Sequence, residues 1–468
     1  MVESVDVTSK PGRLEALLPQ GLAAKVEKTL GASITGIKPR GGGGASREGA
    51  ELSLVFPDGR ELRAYMNYDV HRAGAGDDAA FLREAAILRA LSGPLMGTGV
   101  RTARFIAAIP EARALINEYI SGESNFNKLR TPEDRLAVAG DFMTQLARLH
   151  AIDISTVTIE GMGEPRPISH MVRDRLHDLR KNNQLSGNDP LVATTLMWLE
   201  ENTPPDLARN VIVHGDAGPA NFLYEEGRVT ALLDWELVQY GDPMADLAML
   251  CLRMLFQPFI PLPVAFALYE ASGGQEMDLS RIRFWRLFFQ VGFVAHADHQ
   301  NPDAPPPPNL GMNMVYSTIH RRVLSEALAE AAGVKLSPVH IPEAPPGAHE
   351  RSFQIALDDL RDTIVPRIDD QQAAVKAKGL ARLVKWWRDI ERFGPSFEAA
   401  ELGELREALG RQFSTLGDAR MALSTALQSH ALDRAGIIRL CHARATRDAA
   451  LMEDAMGKLA VTHLGALE

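Results

Sequence analysis

"VHGDAGPANFL", residues 213–223, holds His214, Asp216 and Asn221 in a short turn between two apolar segments, Val211-Ile212-Val213 and Phe222-Leu223. Gly, Asp, Pro and Asn are turn formers, so a plain hairpin loop would account for the composition. It does not account for the segment just downstream. "VTALLDWELVQYGDPMADLAML", residues 229–250, sets another acid, Asp234, at the end of a strand-like run.

Phosphoryl transfer to a hydroxyl requires a carboxylate that orients the hydroxyl and accepts its proton, oxygen ligands for Mg2+, and donors for the nucleotide phosphates. One loop can supply the first two. Asp216 suits the base, and the amide oxygen of Asn221 is a hard ligand suited to Mg2+. Asp234, on the next hairpin, brings a third oxygen ligand to the same mouth. A turn alone does not demand that spacing.

"HGDAGPANFL" followed by "LLDWELVQYGDPMADLA" resembles the aminoglycoside phosphotransferase and choline kinase-like family, a branch of the protein-kinase-like fold. The resemblance implies an α+β, two-lobed architecture. A β-rich N-lobe would span residues 1–120 and a mainly helical C-lobe 121–343, with an all-helical domain appended over 344–468. It also implies ATP and Mg2+, with Asp216 as catalytic base and Asn221 and Asp234 as metal ligands. His214 would be the structural histidine of the catalytic loop, and Asp246 would bond that loop's backbone.

The N-terminal part fits this frame with one gap. Gly41 to Gly44 with Ser46 lie between two strand-like runs, where small residues let backbone N–H groups approach phosphates, so Gly42, Gly43, Gly44 and Ser46 are the candidate cradle. Glu84 lies on a helix face with Phe81, Ala85 and Leu88, where a carboxylate is costly unless paired. The family would pair it with a phosphate-binding base on the third strand. That strand, "ELRAYMN", contains no lysine. If Ala64 contacts adenine, Met66 falls at the lysine position; if the register shifts, Arg63 supplies the cation, and this is the preferred assignment. Adenine would then lie against "NEYISG", at Glu118 to Ile120.

Composition bounds the alternatives. The 468 residues carry a net charge of −10, which argues against a nucleic-acid scaffold. Cys251 and Cys441 do not make a disulfide framework, the first residues lack a signal-peptide core, and three prolines break the longest apolar run. A soluble, cytoplasmic protein without membrane partners is expected. "GAGDDA" (74–79) matches a dinucleotide-binding fingerprint only superficially, and "HADH" (296–299) reads as capping and surface residues rather than metal ligands. No Walker A motif occurs.

The acceptor is a small molecule bearing a hydroxyl. Aminoglycosides are polycations and need a carboxylate-lined cleft, whereas "MLFQPFIPLPVAFALY" (254–269) and "FWRLFFQVGFVAHADH" (284–299) are strongly apolar. An acyl or aromatic acceptor fits better. The subgroup most resembled is related to the kinase domain fused to some acyl-CoA dehydrogenases, which points to a hydroxyacyl-CoA or a phenolic aromatic ketone. After the linker-like "IPEAPPGAHERS" (341–352), the helical C-terminal part resembles a small partner protein of such kinases. It is expected to pack on the kinase part or to mediate self-association. The competing readings are an antibiotic phosphotransferase of the aminoglycoside or macrolide type, and a nucleotide-binding pseudokinase with a regulatory role.

Overall fold

Helix α1 (Leu22–Leu30) leads into β1 (Ser33–Arg40), β2 (Glu48–Val55) and β3 (Glu61–Tyr68). After α2 (Ala79–Leu91), β4 (Phe105–Ile109) and β5 (Ala114–Glu118) complete an antiparallel sheet of order β1-β2-β3-β5-β4. The computed structural model describes residues 17–40, 47–69, 79–207, 209–298, 309–428 and 432–468. The chain forms two compact units, one of the segment up to Arg166 with Leu207–Met277 and Leu467–Glu468, the other of Pro167–Asp206 with Asp278–Ala466.

Alternation builds the sheet. Ala50, Leu52 and Leu54 of β2 and Ala64, Met66 and Tyr68 of β3 share one buried face, and Leu22 and Val26 of α1 pack against it. The "PDGR" turn joins the two strands, closed by the amide of Phe56 donating to the carbonyl of Arg60 at 2.9 Å. In the same unit α3 (Pro132–His150) starts at Thr131, whose side chain accepts from the amide of Asp134, with a proline and two acids in its first turn.

The chain then passes through α4 (Ile168–Leu185) and α5 (Pro190–Glu201) of the second unit and returns with β6 (Val211–Val213). The hairpin of β7 (Phe222–Glu225) and β8 (Arg228–Leu232) comes next, then β9 (Gln239–Gly241), α6 (Pro243–Arg253) and α7 (Leu262–Ala271). β6 pairs with β9, which places residues 214–221 and 233–238 side by side. Glu123 exchanges two backbone hydrogen bonds of 3.0 Å with Tyr224, fastening the segment after β5 to β7. α6 is buried from Pro243 to Leu252, as befits a helix whose residues are nearly all apolar.

The second unit continues with α8 (Leu279–Asp298), α9 (Leu310–Ala331), α10 (Glu350–Asp358), α11 (Gln371–Leu409), α12 (Leu416–Gln428), α13 (Arg434–Leu451) and α14 (Glu453–Met456). Residues 344–466 share this unit with residues 167–206 and 278–343, so the unit boundaries differ from divisions at 120 and 343. Polar anchors run through it. Asp189 caps α5 and pairs with Arg321 of α9, Ser325 lies 3.0 Å from Nδ1 of His442, and Arg322 donates to the carbonyls of Ala460 and Thr462 at 2.9 and 2.6 Å. The 341–352 segment is tied down as well, with Arg392 donating to the carbonyl of Ala344 at 2.8 Å.

Candidate active site

Asp246, fully buried in the first turn of α6, accepts the amides of His214 and Gly215 at 2.7 and 2.8 Å. His150, the last residue of α3, stands between Asp246 (Nε2–Oδ2, 3.0 Å) and the hydroxyl of Tyr269 (2.8 Å). A buried carboxylate is costly unless its lone pairs are filled, and these donors fill them. The imidazole of His214 is kept neutral by burial, which lowers its pKa. Its Nε2–H donates to the carbonyl of Leu233 at 2.9 Å and its Nδ1 accepts the amide of Asp216 at 3.3 Å, while Trp235 lies against the ring.

The loop is cramped. Gly215 has φ +83°, and a Cβ there would fall 2.2 Å from the carbonyl oxygen of Leu237. Gly218 has φ +152°, and its Cβ would fall 2.9 Å from Cδ of Arg253. Side chains at either position would push the neighbouring segments apart. Asp216 and Asn221 meet directly, since Nδ2 of Asn221 donates to the carbonyl of Asp216 at 2.9 Å and to its Oδ2 at 2.7 Å. Arg253 bonds Oδ1 and Oδ2 of Asp216 at 2.8 and 2.7 Å and Oδ1 of Asn221 at 3.2 Å.

Asp234 has left-handed backbone angles, φ 62° and ψ 63°, a conformation that Asp tolerates better than most residues. Its side chain keeps contact with solvent. Even so, loss of hydration to the surrounding protein, then repulsion from Glu236 and Asp216, pushes its carboxyl up to about 6. A cation at this mouth would relieve that repulsion. Asp234 and the Asn221 oxygen are hard donors from two neighbouring turns and suit Mg2+, which takes one or two protein oxygens plus phosphates.

The expected pairing of Arg63 with Glu84 is not formed. Arg63 is largely exposed, pairs with Glu51 and stacks on Tyr119 with its guanidinium 4.1 Å from the ring centre. The partner of Glu84 is Arg47, at the foot of β2, with Nη1 2.6 Å from Oε2. Its other nitrogen, Nη2, meets Glu236 at 3.0 Å. Met66 is spent on the core beneath α1, so neither β3 register supplies the cation. Gly42, Gly43, Gly44 and Ser46 lie outside the described residues. Glu118, the last residue of β5, faces Ala64 of β3 and its side chain bonds Arg104 at 2.8 Å, and Ile120 follows two residues beyond the strand.

Glu84 is only 3 % exposed, and burial pushes it up to about 7, with Asp234 and Glu236 adding to the rise and Arg47 opposing it. The folded-state value lies above the ordinary 4.5, so the folded protein holds the extra proton between about 4.5 and 7. Stability from this group is fully present below that window and is lost as pH rises through it. The loss is at most about 3 kcal/mol. Glu84→Gln should flatten the dependence of melting temperature on pH over that window; an unchanged slope would mean that another group titrates there.

Sequence reasoning missed Arg47, Glu236, Arg253 and His150. Arg253 had a legible signal, since it stands seven residues, two helical turns, after Asp246. The apolar stretches read as an acceptor cleft are mostly core. Phe259, Ile260, Phe266 and Tyr269 are buried in the first unit and Phe284, Leu287 and Val291 in the second.

Residues 68–285 match the phosphotransferase enzyme family. Among curated proteins, acyl-CoA dehydrogenase family member 11 of Gallus gallus is 35% identical over 106 residues, 22% of this chain and 13% of that protein. Its Homo sapiens counterpart is 28% identical over 152 residues, 32% of this chain and 19% of that protein. The chain thus spans less than a fifth of these relatives' length. A putative aminoglycoside phosphotransferase of Ralstonia eutropha superposes with a TM-score of 0.50 at 20% identity, covering 67% of this chain and 98% of that one. The fold is therefore kinase-like, a small sheet lobe with a helical remainder.

Proposed function

Because residues 68–285 belong to the phosphotransferase enzyme family, we propose that this chain transfers the γ-phosphoryl group of ATP to a hydroxyl of a small catabolic substrate, with Mg2+ held by Asn221 and Asp234. The observation that carries this reading is the contact of Asp216 with Asn221 in one loop, with Asp234 beside it on the next turn. Asp216 orients the acceptor hydroxyl and takes its proton. Bound Mg2+ would draw charge from the phosphate oxygens as the bond to the leaving oxygen breaks. Asp246 and His214 keep the loop in register.

Arg47 is the cation assigned to the nucleotide phosphates in place of Arg63. It stands directly after the glycine segment and is pinned by Glu84 and Glu236, so it reaches the cleft from the second strand instead of the third. Arg47→Ala and Glu84→Ala should each raise the KM for ATP roughly tenfold, and the double-mutant cycle should show coupling above about 0.5 kcal/mol. Arg63→Ala should change little. Additive effects of the first pair would remove Arg47 from the phosphate site.

The acceptor class is a hydroxyacyl-CoA or a phenolic aromatic ketone. Relatives named as acyl-CoA dehydrogenase family members support the acyl-CoA class. Among the described residues no helix is long and apolar enough to cross a membrane, compatible with a cytoplasmic enzyme acting on soluble thioesters. The test is phosphorus NMR of ATP consumption on a panel of hydroxyacyl-CoAs, phenolic ketones, an aminoglycoside and a macrolide. A phosphate ester on a hydroxyacyl-CoA or phenol carries the proposal, one formed only on an antibiotic reassigns the substrate, and nucleotide binding without any ester leaves a pseudokinase.

A further inference from the structure

Helix α6 turns two charged groups toward the catalytic loop. Asp246 and Arg253 are seven residues apart and so lie on one face, roughly 10 Å from each other along the axis. Asp246 holds the start of the loop through the amides of His214 and Gly215. Arg253 holds its end, with Nε and Nη2 donating to the carbonyl of Pro219 at 3.1 and 3.0 Å, Nη1 to both oxygens of Asp216, and Nη2 to Oδ1 of Asn221. The glycine at 218 is what lets this side chain lie so close to the loop. The fixed fork of a guanidinium can serve these four acceptor atoms at once, and a lysine ammonium cannot reproduce its planar spacing.

We infer that Arg253 is a positioning residue that sets the Asp216 carboxylate against the Asn221 amide nitrogen, and that it competes with a divalent cation for the Asn221 amide oxygen. The inference rests on the phosphotransfer reading of this site. Asn221 Oδ1 is the oxygen available to a metal, and it accepts from Arg253 across 3.2 Å, the longest of the arginine's bonds. A cation there must displace that bond and also meets a fixed positive charge beside it. Arg253 therefore aligns the base while weakening the metal site, and its other bonds keep it in place when Asn221 lets go.

The two roles have opposite signs, which a merely structural residue would not produce. In Arg253→Gln, kcat should fall about 10- to 100-fold, as expected when a reacting group is misplaced by around 1 Å. Mn2+ should bind the full chain with ADP about 3- to 10-fold more tightly, read by electron paramagnetic resonance, since a partly exposed like charge has been removed. Arg253→Lys keeps the charge, so its Mn2+ affinity should return near that of the parent while kcat stays low. Circular dichroism melts establish that the variants are folded. Weaker Mn2+ binding together with slower turnover in a folded Arg253→Gln would overturn the competition, and unchanged kcat would overturn the positioning role. If the parent chain transfers no phosphoryl group to any acceptor, the phosphotransfer reading falls and the positioning role falls with it. The metal measurement needs no turnover and still decides the competition.

Discussion

Asp216→Asn should lower kcat by roughly 10³-fold, inside the range of about 10²–10⁴ that a positioned general base supplies. The substitution keeps the volume and leaves Oδ1 able to accept from Arg253. It also turns an amide toward Nδ2 of Asn221, which now donates to Oδ2 across 2.7 Å, and two donors then face each other. The two hydrogen bonds lost at Oδ2, from Asn221 and from Arg253, cost about 1–3 kcal/mol each at a partly exposed site, so the variant should still fold and bind Mg·ATP. Single-turnover rates alongside calorimetric ATP binding separate these effects. A rate within tenfold of the parent would take the base role away from Asp216.

Truncation after residue 345 should abolish the fold of the second unit outright. On sequence alone the segment beyond the 341–352 linker is expected to dock on the kinase part or mediate self-association, so that its removal would cost acceptor turnover while ATP binding remained. In the structure its helices complete the unit that also contains α4, α5, α8 and α9. Losing α13 removes Ile437 and Ile438, both almost fully buried and worth about 1.5–3 kcal/mol each by burial alone. The truncation also strips His442 from Ser325 and the carbonyls of Ala460 and Thr462 from Arg322. Losses of this kind quickly exceed the roughly 5–15 kcal/mol that holds a domain together. The truncated chain should be recovered aggregated, with helical circular dichroism reduced beyond the share of helix deleted. A soluble fragment melting cooperatively would restore the independent-module view.

The meeting of Asp216, Asn221 and Asp234 was legible because its spacing is rigid. An acid and an amide five residues apart in one turn, with a further acid two short strands later, have little freedom in where they come together. The sheet was legible for a similar reason, since "ELSLVFPDGRELRAYMNY" alternates around an unmistakable turn. The partner of Glu84 was not. On β3 Met66 is core and Arg63 is solvated, while Arg47 meets Glu84 only once β2 and α2 are brought together. Hydrophobicity misled at 254–269 and 284–299, because an apolar run has the same composition whether it lines a cleft or fills a core. The proline-rich linker likewise resembles a boundary, yet chain connectivity says nothing about which helices later share a core.

Fastening both ends of the catalytic loop to one buried helix has a consequence for how this protein can diverge. Surface loops ordinarily absorb insertions and deletions at little cost. Here the distance between the anchors is set by two turns of α6, and one added or missing residue between His214 and Asn221 would leave either Asp246 or Arg253 without its partners. Ala220, left-handed at φ 73°, can give way to Gly or Asn, which favour that region, but the number of residues in the loop cannot change. Alteration of reactivity is therefore confined to substitutions within a loop of constant length, and change in length must be sought in segments that α6 does not hold.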